Sequence, residues 1–278
     1  MGNAVLALLL FLQGGNAAAL PDAPETVEGI EVASPWCRIT FDPVTGALRS
    51  IINARTGDEY LKEPRSEAMP FRLYTDLTRE FSIGQNEKFQ LVFDAPEAIA
   101  GTVVHPGTCR LVEVRRDHDL TLRYEEGGLE TELRVTLAEE AGASDWSLRV
   151  TNTGEGARKF LVGFPYLDGV RLGPNPANNL ATAMDQAGLV VPAWERSGGV
   201  LGESNQLSMQ WHAVWDPESG NAVGLLFMDA DVRPKRLELS EPRIELHHFP
   251  PVALAPGESV ELPRVRLLVY QGDWRPAA

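Results

Sequence analysis

The chain has 278 residues, 44% hydrophobic and 23% charged, which is the balance of a soluble globular protein and not of a disordered or membrane-embedded one. Its 25 Lys and Arg face 39 Asp and Glu, and a formal net charge of -14 repels phosphate backbones and argues against nucleic acid as a partner. The length exceeds one typical domain, yet large all-β sandwiches reach about 200 to 250 residues as one unit, so a single core suffices.

At the N-terminus, the apolar run Ala4 to Leu12 precedes Gln13, Gly14, Gly15, Asn16 and the small triplet Ala17, Ala18, Ala19. This pattern predicts a signal peptide over 1–19 and a secreted or periplasmic mature chain, although Met1, Gly2 and Asn3 bring no positive charge to the start. A membrane span needs about 20 apolar residues, so none is expected here. Residues 20–29 are Pro-rich and acidic and are expected to be a linker, and one domain should occupy 30–270.

From Ile30 onward, short apolar runs recur between Gly, Pro, Asn and Asp without a long stretch of helical period, a β pattern. Trp36 to Phe41 and Ala47 to Ile52 flank Asp42-Pro43-Val44-Thr45-Gly46, whose early proline and terminal glycine suit a tight hairpin. Cys37 and Cys109 would meet an oxidising compartment if the chain is exported, and both the bridged and the free state stay open. Neither has metal-ligand spacing, so neither a metal nor a cofactor site is expected.

Leu129, Thr131, Leu133, Val135 and Leu137 alternate with Glu130, Glu132, Arg134 and Thr136, which predicts a strand with one core face and one wet face. Trp146, Leu148 and Val150 repeat the alternation, and turn residues lie between, so the two should pair antiparallel. About fifteen short strands argue for two packed antiparallel sheets.

Leu172 to Leu207 breaks the rhythm with twelve Gly, Pro and Asn residues. A stretch this long with little strand pattern inside a compact domain is expected to be functional or disordered. Its Trp194 is either a platform for a sugar ring or an indole packed under its own loop, and the polar surroundings predict partial exposure and a small folding role. Glu195 and Glu203 would offer paired carboxylates for glycoside chemistry, but 39 acidic residues make such a pair a matter of chance, and no catalytic residue is assigned.

In Ser208 to Asp216, one phase holds Met209, Trp211, Ala213 and Trp215 and is expected to enter the core. Gln210 and His212 take the other phase, where the Gln210 amide would both donate to and accept from a sugar hydroxyl. An aldose epimerase would need an acid and a base around the anomeric centre, and His212 or His247 with Glu245 is the candidate set. Glu245 and His247 share a strand face, and the simpler expectation is the wet face of an antiparallel strand. Finally, Val260 and Leu262 are out of phase with Val265, Leu267 and Val269, and Pro263 at the switch predicts a bulge or an edge.

These segments carry a resemblance. FDPVTGALRSIINARTGDEY, from Phe41 to Tyr60, resembles the opening hairpin of the galactose-mutarotase-like supersandwich at the N-terminus of several barrel glycoside hydrolases. LGPNPANNLATAMDQAGLVVPAW and LSMQWHAVWDPESGNAVGLLFMDAD look like the same domain in a group of bacterial hydrolase-like proteins, where it precedes a (β/α)8 barrel. The resemblance implies an all-β, large antiparallel two-sheet supersandwich, with 271–278, around Gly272-Asp273-Trp274, starting a connector to that barrel. It places the catalytic acid and base on the barrel and leaves none here. It also maps the substrate-facing loop onto Leu172 to Leu207, which makes Asn178, Asn179, Trp194 and Gln210 the expected carbohydrate contacts. Three functions remain: a non-catalytic module that frames substrate for a barrel, a free-standing carbohydrate-binding protein, and an epimerase-like enzyme.

Overall fold

The computed structural model describes residues 29–64, 68–75, 77, 83–85, 91–93, 102–103, 109–138, 142–182, 190–194, 199–201, 210–231, 233, 235–240 and 242–277. The expected signal peptide, the linker up to residue 28, and Glu195, Glu203, Ser208, Met209 and Ala278 lie outside the described residues. Strands are numbered in chain order.

A three-stranded sheet opens the fold, with β1 (Ile30–Ala33), β2 (Cys37–Phe41) and β3 (Leu48–Asn53) adjacent in that order. A six-stranded sheet contains β4 (Arg72–Thr75), β7 (Thr102–Val103), β12 (Arg158–Leu167), β15 (Gly199–Leu201), β18 (Lys235–Ser240) and β19 (Arg243–Leu254). Their spatial order is β15-β18-β19-β12-β4-β7. Strands β5 (Ile83–Gln85) and β6 (Leu91–Phe93) pair only with each other among the described residues. The large sheet takes β8 (Arg110–Arg116), β9 (Leu120–Glu126), β10 (Leu129–Leu137), β11 (Ala143–Asn152) and β13 (Leu180–Thr182). It is completed by β14 (Val190–Pro192), β16 (Trp211–Trp215), β17 (Asn221–Met228), β20 (Ser259–Glu261) and β21 (Arg264–Gln271). Its order is β14-β13-β16-β17-β21-β11-β10-β9-β8, with β20 beside β11, and every pairing is antiparallel.

The two large sheets share one core. Leu133, Leu148 and Val214 from one sheet and Phe160, Val162 and Leu246 from the other are all fully buried in a single cluster. Each such side chain contributes roughly 1.5 to 3 kcal/mol by leaving water. Strands β10 and β11 pair as their alternation predicts, with Leu133 opposite Leu148 and Val135 opposite Trp146. The first hairpin also closes as expected. Asp42 Oδ1 accepts from the Val44 and Thr45 amides at 3.0 and 2.8 Å, and Gly46 takes a left-handed φ of 73°.

Pro263 sits at a bulge: Trp146 faces Val265 and Arg149 faces Glu261, so four steps on one side meet three on the other. The structure has twenty-one strand segments among the described residues, more than the fifteen or so expected, because many are only two or three residues long. Three of these, β13, β14 and β15, lie inside Leu172 to Leu207, which is therefore not strand-free. The segment crosses from the edge of the large sheet, at β14, to the edge of the six-stranded sheet, at β15.

Strand β16 corrects an expectation. Trp211, Ala213 and Trp215 do share a face, but they join a second cluster with Ala222, Tyr270, Trp274 and Ala277, away from the inter-sheet core, which receives Val214. Both cysteines are buried free thiols; burial raises the Cys37 pKa and pushes Cys109 up to about 12.

Candidate functional site

The site begins with a strand that is polar on the face opposite the core. Along β19, Ile244 and Leu246 enter the inter-sheet core, which turns Glu245 and His247 to the other face of the six-stranded sheet. Strand β4 does the same: Leu73 is in the core and Arg72 and Tyr74 face away from it. Strand β12 lies between them, and its Gly163 is opposite Arg72 on one side and His247 on the other. A Cβ at Gly163 would overlap Glu245 Oε1, so the missing side chain makes the space that the carboxylate fills.

This face is not wet, contrary to the simpler expectation for Glu245 and His247, which are each 1% exposed. Tyr74 Oη donates to Glu245 Oε1 at 2.5 Å, and His247 Nε2 lies 3.1 Å from the same oxygen without hydrogen-bond alignment. Arg72 Nη1 is 3.9 Å from Glu245 Oε2. The Arg72 guanidinium lies 3.9 Å from the Tyr166 ring centroid and donates to Tyr166 Oη at 2.5 Å, while Tyr166 Oη donates to Asp168 Oδ1 at 3.3 Å. The Tyr74 and His247 rings meet edge to face at 5.7 Å.

Burial alone would raise the Glu245 pKa, but His247, Arg72 and the Tyr74 hydroxyl overcome it and hold the carboxyl below its usual range. Burial, then Glu245 itself, pushes the Tyr74 phenol well above its ordinary value. The arrangement has the parts for proton transfer, a carboxylate, an imidazole and a phenol. Its carboxylate, however, is buried, paired and held ionised, whereas a general base works best with a pKa near the operating pH. Both His247 ring nitrogens are buried without a hydrogen-bond partner.

A second polar group lies where β17, β18 and β19 meet. Lys235, 1% exposed, donates to Asp229 Oδ2 and, at 2.9 Å, to Arg233 O. His248 Nε2 bonds Phe164 O at 2.8 Å, and burial lowers its pKa to about 4. No group of three His, Cys, Asp or Glu side chains converges as a metal site among the described residues.

The expected ligand contacts fall into two places. Pro176–Asn178 forms a short turn that leaves Asn178 exposed, whereas Asn179 is fully buried and its Nδ2 donates to Leu172 O at 3.0 Å. Trp194 is partly buried against the core, and its Nε1 donates to Pro176 O at 2.8 Å, while the Ala193 amide donates to Asn179 O at 2.8 Å. These contacts bring Trp194 and the two asparagines together. Gln210 is apart from them. Leu180 pairs with Trp215 at one end of β16 and Gln210 precedes the other, about 17 Å away at ~3.4 Å per residue. There its Nε2 donates to Asp229 O at 2.9 Å.

Of the epimerase candidates, His247 meets Glu245 and His212 does not. His212 belongs to β16 in the large sheet, where its Nδ1 is 3.2 Å from Thr182 Oγ1 and burial lowers its pKa to about 3. Sequence reasoning missed Arg72 and Tyr74. The run Phe71-Arg72-Leu73-Tyr74 does alternate, and that was the available signal.

No protein-family model matches the chain, and a search of curated protein sequences finds no match. Solved structures do match in fold. A galactose mutarotase-like protein from Lactobacillus casei is 11% identical with a TM-score of 0.53, over 87% of this chain and 100% of that one. A putative aldose 1-epimerase from Escherichia coli K12 is 13% identical with a TM-score of 0.50, over 88% and 99%. The GH36 alpha-galactosidase AgaA from Geobacillus stearothermophilus is 14% identical with a TM-score of 0.55, over 88% of this chain but only 41% of the enzyme. AgaA variants have been solved in complex with raffinose and with stachyose. The fold is the galactose-mutarotase-like supersandwich.

Proposed function

We propose that the chain is a non-catalytic, carbohydrate-associated module of a secreted glycoside hydrolase-like protein, framing substrate and supporting a (β/α)8 barrel. The observation that carries the absence of catalysis is the state of Glu245. It is 1% exposed, accepts from Tyr74, and is held ionised by its neighbours, so it is a poor base for an incoming sugar. The link to sugars is supported by the shared fold with an alpha-galactosidase of which this chain spans 41%. Within the module, Asn178 and Trp194 form the ligand-facing side of the crossing segment, buried Asn179 fastens it, and Gln210 serves a separate point.

The test is a panel of aryl glycosides and oligosaccharides offered to the purified chain. Oligosaccharide binding without turnover is expected; turnover would contradict the proposal. Export is part of the same proposal, and recovery of intact Met1 from the cytoplasm of a bacterial host would remove it.

One observation favours an epimerase-like second reading: Glu245, His247 and Tyr74 converge on one sheet face in a fold that also matches whole mutarotase-like chains. That reading requires the buried carboxylate to be opened to a sugar.

A further inference from the structure

The outer face of the large sheet carries chemistry that the Glu245 network does not use. Across five neighbouring strands, one ladder row joins Trp211, Leu226, Arg266, Asp145 and Thr136. Residues opposite each other in a sheet project to the same side, so these five side chains form a line of about 19 Å at ~4.8 Å per strand.

The line changes character along its length. At one end, Trp211 stacks on Trp274 with ring centroids 5.8 Å apart and planes 15° from parallel, and both rings are only partly buried. Leu226 and Leu268 extend the apolar end, and Met228, beside them on β17, is 43% exposed. At the other end, Asp145 accepts from Arg266 Nε and Nη2 at 2.7 and 3.0 Å, with Arg264 Nη1 at 3.6 Å. Here an open cleft of about 460 Å³ is lined by Arg134, Thr136, Asp145, Ser147, Met228 and Arg264, among others.

The outer face of an antiparallel sheet ordinarily alternates polar residues against water. This one instead sets aromatic rings in line with a cleft of charged and hydroxyl side chains, in which Asp145 is held by Arg266. An indole face suits the C–H side of a sugar ring, and a clamped Arg–Asp pair with Thr and Ser hydroxyls both donates to and accepts from vicinal hydroxyls. Neither end favours a charged ligand, since Asp119, Asp145 and Glu261 line the cleft together with Arg134 and Arg264. The length fits several linked rings, not one. We infer that this face binds a neutral linear oligosaccharide, stacked on Trp211 and hydrogen-bonded along Arg264, Asp145 and Thr136. The ligand class rests on the carbohydrate-associated reading above; the location does not.

The full chain is titrated with stachyose by calorimetry and run in affinity gels containing soluble galactomannan, xylan or mixed-linkage glucan. At least one glycan should bind. Trp211→Ala should weaken it tenfold or more and Arg264→Ala about threefold, since stacking is lost in one and one of several hydrogen bonds in the other. Val44→Ser, in an exposed turn, serves as the control. Arg264 is 54% exposed at its side chain, so its replacement keeps the test valid if Trp211→Ala does not fold.

Native affinity in both Trp211→Ala and Arg264→Ala, with loss in Trp194→Ala, overturns this site and leaves the carbohydrate-associated reading intact. A native chain that binds no glycan overturns both. A dimer in sedimentation that Leu226→Glu dissociates also overturns the site, because the face is then an interface between copies.

Discussion

His212 and His248 are buried imidazoles that the fold keeps neutral, with pKa values lowered to about 3 and about 4 from an ordinary 6.5. Once unfolded they take up protons below about pH 6.5. Between that value and the folded ones the unfolded chain therefore binds more protons, and stability falls as pH falls, by up to about 1.4 kcal/mol per unit for each histidine. Urea unfolding at pH 7.5 and pH 5 should show this as a lower midpoint at pH 5, and His248→Gln should shrink the difference. Equal midpoints would contradict the neutral assignment. The depressed Glu245 adds a second decline below its unfolded pKa of about 4.5, as the ionised pairing is lost.

Trp194 shows how far a single residue was legible. Its Gly, Pro and Asn surroundings announced a ring that is not fully enclosed, and it is partly buried. What composition does not carry is the bond from Nε1 to Pro176 O, which depends on the turn at Pro176–Asn178 folding back over it. Losing that bond and part of the packing should cost Trp194→Ala about 1 to 2 kcal/mol in thermal unfolding, between a surface change and a core truncation. A loss above about 3 kcal/mol would make the indole a core residue.

At the scale of elements, strand alternation was readable where strands are long and two-faced. Leu129–Leu137 and its partner β11 have nine paired positions, so their register is set by many contacts. Strands β13, β14 and β15 are three residues each, too short for alternation to register, and their pairing is set by neighbours distant in sequence. Strand β16 gave the correct parity but the wrong face: the less apolar phase, with buried His212 and Val214, turns inward and only Val214 joins the core, while the fully apolar phase of Trp211, Ala213 and Trp215 packs outside under Trp274 and Ala277.

Strand β12 carries a sharper prediction. Gly163 leaves room for the Glu245 carboxylate in the middle of a sheet, so Gly163→Ala should displace that carboxylate from Tyr74 and cost roughly 1 to 3 kcal/mol by overpacking. The midpoint of denaturant unfolding reports it. An unchanged or higher midpoint would mean that the network tolerates displacement and that its geometry is not fixed by this glycine.

Over the whole molecule, the two-sheet architecture followed from composition, turn spacing and the resemblance of Phe41 to Tyr60 and the β16–β17 region to a known supersandwich. The solved structures carry the same fold at 11% to 14% identity. The polar network did not follow. Arg72, Tyr74 and Glu245 are as much as 173 residues apart and meet only because β4 and β19 flank β12. A shared fold does not decide whether such a network acts on sugars or holds a sheet face together, since function belongs to the site.

That decision rests on Glu245. Polarimetry of freshly dissolved α-D-galactose, with and without the purified chain, measures anomer interconversion directly. A carboxylate kept buried, paired and ionised predicts a first-order rate constant equal to that of buffer alone at every protein concentration. A rate that rises in proportion to protein and returns to the buffer value in Glu245→Gln would contradict the account and make the chain an epimerase.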